Sequence, residues 1–142
     1  MFTYLNPKRK NLFASNFAHQ IIDIEKGKKQ FLRHGNLNST RSILDIRDAM
    51  ESYWIAATKG KIGEIYNISG NYKITIKNFL VELKKNSSVK IQSFKDKDLL
   101  RPVDISLQIA DCSKFKRHTN WKEKYEFKES LKYFFEECRR YH

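Results

Sequence analysis

Residues 34–48 read His34-Gly35-Asn36-Leu37-Asn38-Ser39-Thr40-Arg41-Ser42-Ile43-Leu44-Asp45-Ile46-Arg47-Asp48, and the fold is decided by how this stretch is read. It opens in a turn, His34-Gly35-Asn36, where glycine and asparagine tolerate the backbone angles a reversal needs. It closes where Asp45 begins a helix that runs to Thr58 and is stopped by Gly60. Ala49, Met50, Tyr53, Trp54 and Ala57 share one apolar face of that helix, which reads as core. Arg47 and Asp48 lie in its first turn, where an aspartate suits the positive end of the helix dipole. Between turn and helix stands Arg41. A guanidinium holds phosphate oxygens in a planar fork and keeps its charge, so Arg41 is either an anion-binding group or a surface arginine in a polar segment.

Upstream, Phe13, Phe17, Ile21 and Ile24 recur at helical spacing and predict a helix ending near Gly27. Downstream, Glu64–Ser69 predicts a short strand closing in Ser69-Gly70-Asn71. Thr75 caps a third helix with the stripe Ile76, Phe79, Leu80 and Leu83. Val89 and Ile91 alternate with polar residues as a second strand, and a loop follows from Asp96 to about Ser106. Ser113 caps a short helical turn. Phe127–Arg140 is the last helix, with Leu131, Phe134, Phe135 and Cys138 facing inward. The expected fold class is α/β, in the form of a small α+β-like lobe of helices with two or three short strands, one domain over residues 1–142.

The 142 residues carry 28 Lys+Arg against 16 Asp+Glu, a formal net charge of +12, with 40% hydrophobic residues. That apolar content suffices for one core and excludes a disordered chain. The longest apolar runs are too short to span a membrane. No secretory leader is read at the start, and two cysteines, Cys112 and Cys138, are too few for a disulfide framework, so a cytoplasmic setting is expected. The basic charge suits anionic partners. No RNP-type, zinc-finger or heptad pattern accompanies it, so a solvated basic surface is expected over a nucleic-acid patch. His19, His34, His118 and His142 show no metal-ligand spacing with one another or with the cysteines.

Five segments in order resemble the extended short-chain dehydrogenases that act on nucleotide sugars. The similarity is to the branch of GDP-mannose 4,6-dehydratases and GDP-4-keto-6-deoxyhexose reductases. Gly35-Asn36-Leu37 followed by Arg41 and Asp48 resembles that branch's GNL-x-x-x-R segment. Asn6-Pro7-Lys8-Arg9 with Phe13-Ala14-Ser15 resembles its P-R-R segment, and Gly63–Gly70 its G-E-x-Y-N segment. Leu100-Arg101-Pro102-Val103-Asp104 is similar to its nucleotide loop. Asp111-Cys112-Ser113-Lys114 with Trp121 is similar to D-x-S-K … G-W.

The resemblance implies a C-terminal substrate-binding lobe whose cofactor-binding Rossmann half lies outside this sequence. It implies that Arg41 lies on a substrate diphosphate and that Arg101, stiffened by Pro102, contacts the nucleotide phosphate or ribose. Asp104 then anchors the loop or accepts from a hydroxyl, and Lys8 and Arg9 approach phosphates. Thr3 stands where the family has a substrate-binding asparagine and keeps a hydroxyl but not the amide's paired donor and acceptor, while Tyr4 replaces a histidine, Ser42 an aspartate and Ile43 an aromatic residue. NADP or NAD is the cofactor implied for the full-length family. None is expected on this chain alone, because Gly27, Gly35, Gly60, Gly63 and Gly70 make no G-x-x-G-x-x-G turn. Tyr4-x-x-x-Lys8 mimics the catalytic Tyr-x-x-x-Lys but spans Pro7, which breaks the helix that pattern needs. No catalytic residue is therefore expected, and no catalysis by the chain alone. The expected partners are a GDP-linked nucleotide sugar, a separate Rossmann-domain chain and further copies in an oligomer. The alternative is a non-catalytic basic module, a nucleotide sensor or a nucleic-acid binder, that keeps only the fold.

Overall fold

The structure, a computed structural model, describes residues 3–100 and 102–142. Helix α1 (Phe13–Glu25) is followed by strands β1 (Leu32–His34) and β2 (Thr40–Ile43) and helix α2 (Ile46–Lys59). Strand β3 (Tyr72–Thr75) runs into helix α3 (Ile76–Lys84). Strand β4 (Ser93–Lys95), a 3-10 turn (Lys97–Leu99), strand β5 (Leu107–Gln108), helix α4 (Ser113–Thr119) and helix α5 (Phe127–Arg140) complete the order. The mixed α/β lobe expected from the sequence is present. The caps at Asp45 and Thr75 form as read, each side chain accepting a backbone N–H in the first turn of its helix.

The strands lie elsewhere than the alternation predicted. β2 is the middle of a three-stranded sheet, antiparallel to β3 and parallel to β5. β1 and β4 form a separate parallel pair. Glu64–Ser69 is not a strand: the amides of residues 65–68 meet no backbone acceptor among the described residues. An extended segment becomes a strand only when a neighbour takes its ladder bonds. Val89 and Ile91 fall just before β4 rather than within a strand. Cys112, not Ser113, occupies the N-cap of α4, and Asp111 Oδ1 accepts from the Ser113 amide at 2.8 Å.

Two apolar clusters hold the lobe. The larger packs α1 between α3 and α5, through Phe17, Ile21, Phe79, Leu83, Phe134 and Cys138. The smaller joins the end of β2 to α2 and α4 through Leu44, Ala49, Ile68, Phe115 and Trp121. Trp121 is a core residue, 2% exposed. Tyr53 and Trp54 are not, contrary to the expectation from their helix stripe. Trp54 is 71% exposed, because α2 turns Asp48, Ala49 and Ser52 inward instead.

Polar groups tie the helices at fixed points. Glu25, at the end of α1, accepts from the Ser88 amide at 2.9 Å, the Ser87 hydroxyl at 3.0 Å and the Arg139 guanidinium at 2.9 Å. Burial alone would raise its carboxyl, yet these donors hold it below the usual range. Asp45 is similar. Burial raises it, but bonds from Arg47 and Ser130 outweigh that and lower it. The Arg47 guanidinium in turn lies 3.4 Å from the centre of the Tyr125 ring and 4.1 Å from that of Tyr133. Asp48 moves the other way: burial raises it, partly offset by the amides of Tyr125 and Lys124.

Gly70 passes directly against β2. A Cβ there would sit 1.7 Å from the carbonyl oxygen of Ile43. Gly70→Ala is therefore expected to lower stability by about 3 kcal/mol in urea unfolding. Gly27→Ala, at φ +70° with nothing nearby, should cost only about 1 kcal/mol. Equal losses at the two sites would contradict this packing.

Depressed carboxyls also set the acid limit. A group lowered on folding contributes stability above its unfolded value, 3.8 for Asp45, and loses it as pH falls through the folded value. Asp45→Asn should flatten the loss of melting temperature below about pH 4 while keeping the cap's acceptor. An unchanged acid limb in the variant would remove Asp45 from that role.

Candidate functional site

A cleft of about 530 Å³ opens where α1, β1, β2 and the loop before β5 converge. Its wall collects residues remote in sequence because β2 is paired on every side. The Leu44 amide donates to the Thr3 carbonyl and the Leu5 amide to the Leu44 carbonyl, each at 3.0 Å, which brings the N-terminal segment alongside. The Thr40 amide donates to the Ser106 carbonyl at 2.7 Å, which brings in the loop after residue 101. Register places Arg41 opposite Ile74 on one side and Gln108 on the other.

Arg41 is 11% exposed at its side chain. One of its terminal nitrogens donates to the Thr40 and Ile105 carbonyls at 2.9 Å, and the other lies 3.7 Å from Asp104 Oδ1. Asp104 Oδ2 accepts from Asn36 Nδ2 at 2.6 Å and from the Ser39 hydroxyl at 2.7 Å. Asp104 thus fastens its loop to the turn before β2 and lines the cleft as well. Of the two roles the resemblance implies for Asp104, anchoring the loop or accepting from a hydroxyl, the described contacts are those of the first.

Of the other predicted residues, Thr3 and Arg9 line the cleft. Lys8 does not; its ammonium lies over the Tyr141 ring at 4.6 Å, outside the wall. Arg101 lies outside the described residues. Tyr4 forms a bridge to Leu44 and Lys8 sits in a turn, so the pair does not share a helix face.

The structure adds Arg33 and His34, which the sequence reading passed over. Arg33 pairs with Asp96. A bond from the Asp98 amide, and then the Arg33 guanidinium, hold Asp96 below its usual range. No motif flags Arg33; the signal available was its place two residues before Gly35, on the strand that leads into the turn before Arg41. Gly35 itself lets the loop close, since a Cβ there would lie 2.4 Å from the Leu99 carbonyl oxygen. Among the described residues the cleft lining includes three arginines, Arg9, Arg33 and Arg41, and one acidic residue, Asp104, with Arg33 also paired to Asp96. Such a wall favours an anionic ligand.

The glycines do not fit a dinucleotide's pyrophosphate. That ligand needs glycines that open a helix N-terminus to close approach. Here a Cβ at Gly35, Gly60 or Gly70 would strike the chain's own backbone, and Gly27 and Gly63 sit at positive φ after α1 and in the turn following α2. Among the described residues no group of three or more His, Cys, Asp or Glu side chains is placed to hold a metal, and no helix is long and apolar enough to cross a membrane.

Comparison with known proteins bears on the fold and the family. The chain is similar to the GDP-6-deoxy-D-mannose reductase of Pseudomonas aeruginosa, 23% identical over 133 residues that cover 92% of the chain and 44% of the reductase. The structure of RMD from Pseudomonas aeruginosa complexed with NADPH superposes with a TM-score of 0.87 at 19% identity, covering 99% of this chain and 47% of that one. The UDP-glucuronic acid 4-epimerase of Bacillus cereus, in complex with UDP-glucuronic acid and NAD, superposes at 0.82 with 21% identity, covering 99% and 44%. The chain thus spans less than half the length of the curated relative it matches. The family model described as GDP-mannose 4,6 dehydratase matches residues 1–134. With that match over nearly its whole length, the chain belongs to the GDP-mannose 4,6-dehydratase family, within the extended short-chain dehydrogenases and reductases.

Proposed function

We propose that this chain is the substrate-binding lobe of a GDP-sugar dehydratase or reductase, and that its cleft holds the diphosphate of a nucleotide sugar. The observation that carries the reading is the arginine-rich wall of a cleft sized for a small ligand. Arg41 is the central contact, rigid on a strand paired at both edges. Arg9 and Arg33 add charge, and Asp104 holds the covering loop or accepts a ligand hydroxyl. By resemblance, Arg101 is assigned to the nucleotide phosphate or ribose, and Thr3 offers a hydroxyl where the family has an asparagine. GDP is the expected nucleotide on the strength of the matched family. The lobe carries no catalysis by itself and works with a cofactor-binding half that supplies NADP or NAD.

Isothermal titration with GDP, UDP and GDP-mannose tests this. Saturable GDP binding is expected, weakening with salt. Arg41→Ala should raise the dissociation constant about 10- to 100-fold, the range of a lost charge-assisted bond. Absence of binding by the folded chain at millimolar nucleotide, together with salt-steep binding to DNA or RNA, would favour the basic-module alternative.

A second subunit or further copies are part of the same reading. Met50, Tyr53 and Trp54 line an exposed face of α2, and Ile62 and Ile65 stand clear beside it, Ile65 at 85% exposure. The unpaired segment 65–68 lies in the same stretch. Exposed apolar patches of this kind mark interfaces. The chain alone should self-associate or bind a hydrophobic dye, and Trp54→Lys with Ile65→Lys should diminish both while leaving the circular dichroism unchanged. A dye-negative monomer by sedimentation would contradict it.

A further inference from the structure

His19 on α1 and His142 after α5 lie edge to edge, with ring centroids 5.1 Å apart and planes 25° from parallel. Their Nδ1 atoms lie 2.9 Å from each other. The far nitrogens both face acceptors. His142 Nε2 lies 2.9 Å from Asp23 Oδ1, and His19 Nε2 lies 3.3 Å from the Pro7 carbonyl oxygen. A carboxylate and a carbonyl only accept, so each Nε2 carries a hydrogen. A hydrogen bond between the two Nδ1 atoms then needs one more proton, on one ring only. Two bare nitrogens would set lone pair against lone pair. Two N–H groups would set hydrogen against hydrogen on two adjacent cations.

We infer that His19 and His142 form a clasp holding a single shared proton, with His142 the imidazolium and His19 the neutral ring, which closes over a window of pH and opens on both sides of it. Asp23 pairs with His142 and places the charge there. Burial, as the largest effect, lowers His19 from its ordinary value, in keeping with its neutral state. The charged groups around the pair come from each neighbouring element. α1 supplies Asp23, itself paired with Lys29 at 2.8 Å. The N-terminal loop supplies Lys10, which lowers His19, and Lys8, over Tyr141. The end of α5 supplies Glu137 and Arg140, paired with each other at 2.7 Å.

The clasp bears on the cleft. It fixes the Pro7 carbonyl, two residues before Arg9, while Tyr141 sits under Lys8. Opening it frees the loop that carries Arg9 into the wall. This last link rests on the proposed reading of the cleft; the shared proton does not.

Imidazole nitrogen NMR of the whole chain across pH tests the pair directly. Strongly interacting sites lose their protons in two steps set about one pH unit or more apart. Those two steps are expected for His19 and His142. In His142→Gln and in His19→Gln the remaining ring should titrate in one step. Both changes leave the apolar core intact, and circular dichroism checks that. Overlapping titrations in the parent, unchanged in either variant, would overturn the shared proton. GDP titrated alongside should bind most tightly inside the window in the parent, with that maximum lost in His142→Gln. A clear two-step titration with no GDP binding at any pH would support the clasp and count against the cleft reading instead.

Discussion

The backbone pairing of residues 39–44 is the constraint on which the lobe depends. This short segment exchanges hydrogen bonds with the N-terminal segment, with β3 and with β5. The pairing leaves no freedom to slide, because a slip of one residue would exchange Arg41 with the buried Ser42. Gly70 seals the end of β2 by closing on its last carbonyl, where Ser69 also meets Ser42 through their hydroxyls. The cleft is a by-product of this arrangement. Thr3, Arg41 and Asp104 line one cleft because the N-terminal segment and the loop before β5 are both stitched to one strand.

The rest of the lobe buttresses that strand from two directions. On one side the α1–α3–α5 cluster supplies most of the apolar burial. On the other, a smaller cluster around Phe115 and Trp121 meets α2. The joints between helices are polar and specific. Glu25 gathers donors from the end of α3 and from α5, and Asp45 caps α2 while gripping Arg47 between two tyrosine rings. Buried carboxylates held this way are costly to strip of their partners, which makes them registration points more than sources of net stability.

Helices were the legible part of the sequence. Their stripes run over several turns, and Asp45 and Thr75 are caps with a local mechanism. Strands of two to four residues carry too few alternations to be seen, and β2, with three polar residues and one apolar, has none. Glu64–Ser69, which reads as a strand, finds no neighbour, and Val89 and Ile91, which do alternate with polar residues, stop short of β4. Trp54 shows the same failure in a helix: periodicity reveals an apolar face but not whether anything covers it. At the cleft, Arg41 was readable from the residues around it, and Asp104 from its loop. Arg33 was not, since its role arises from the parallel pairing of β1 with β4, which carries Asp96 beside it. Lys8 looked equivalent to Arg9, yet the turn after Pro7 sends the two side chains to different places.

The bond between Glu25 and Arg139 spans 114 positions of the chain. During synthesis at roughly 5–20 residues per second, α1 emerges on the order of ten seconds before the helix that covers it. Through that interval Phe17, Ile21 and Ile22 have no α5 to rest on, and local contacts cannot replace it. The nascent lobe is thus a client for whatever binds exposed apolar helices at the ribosome. Its native core is a late event, closed by its last helix.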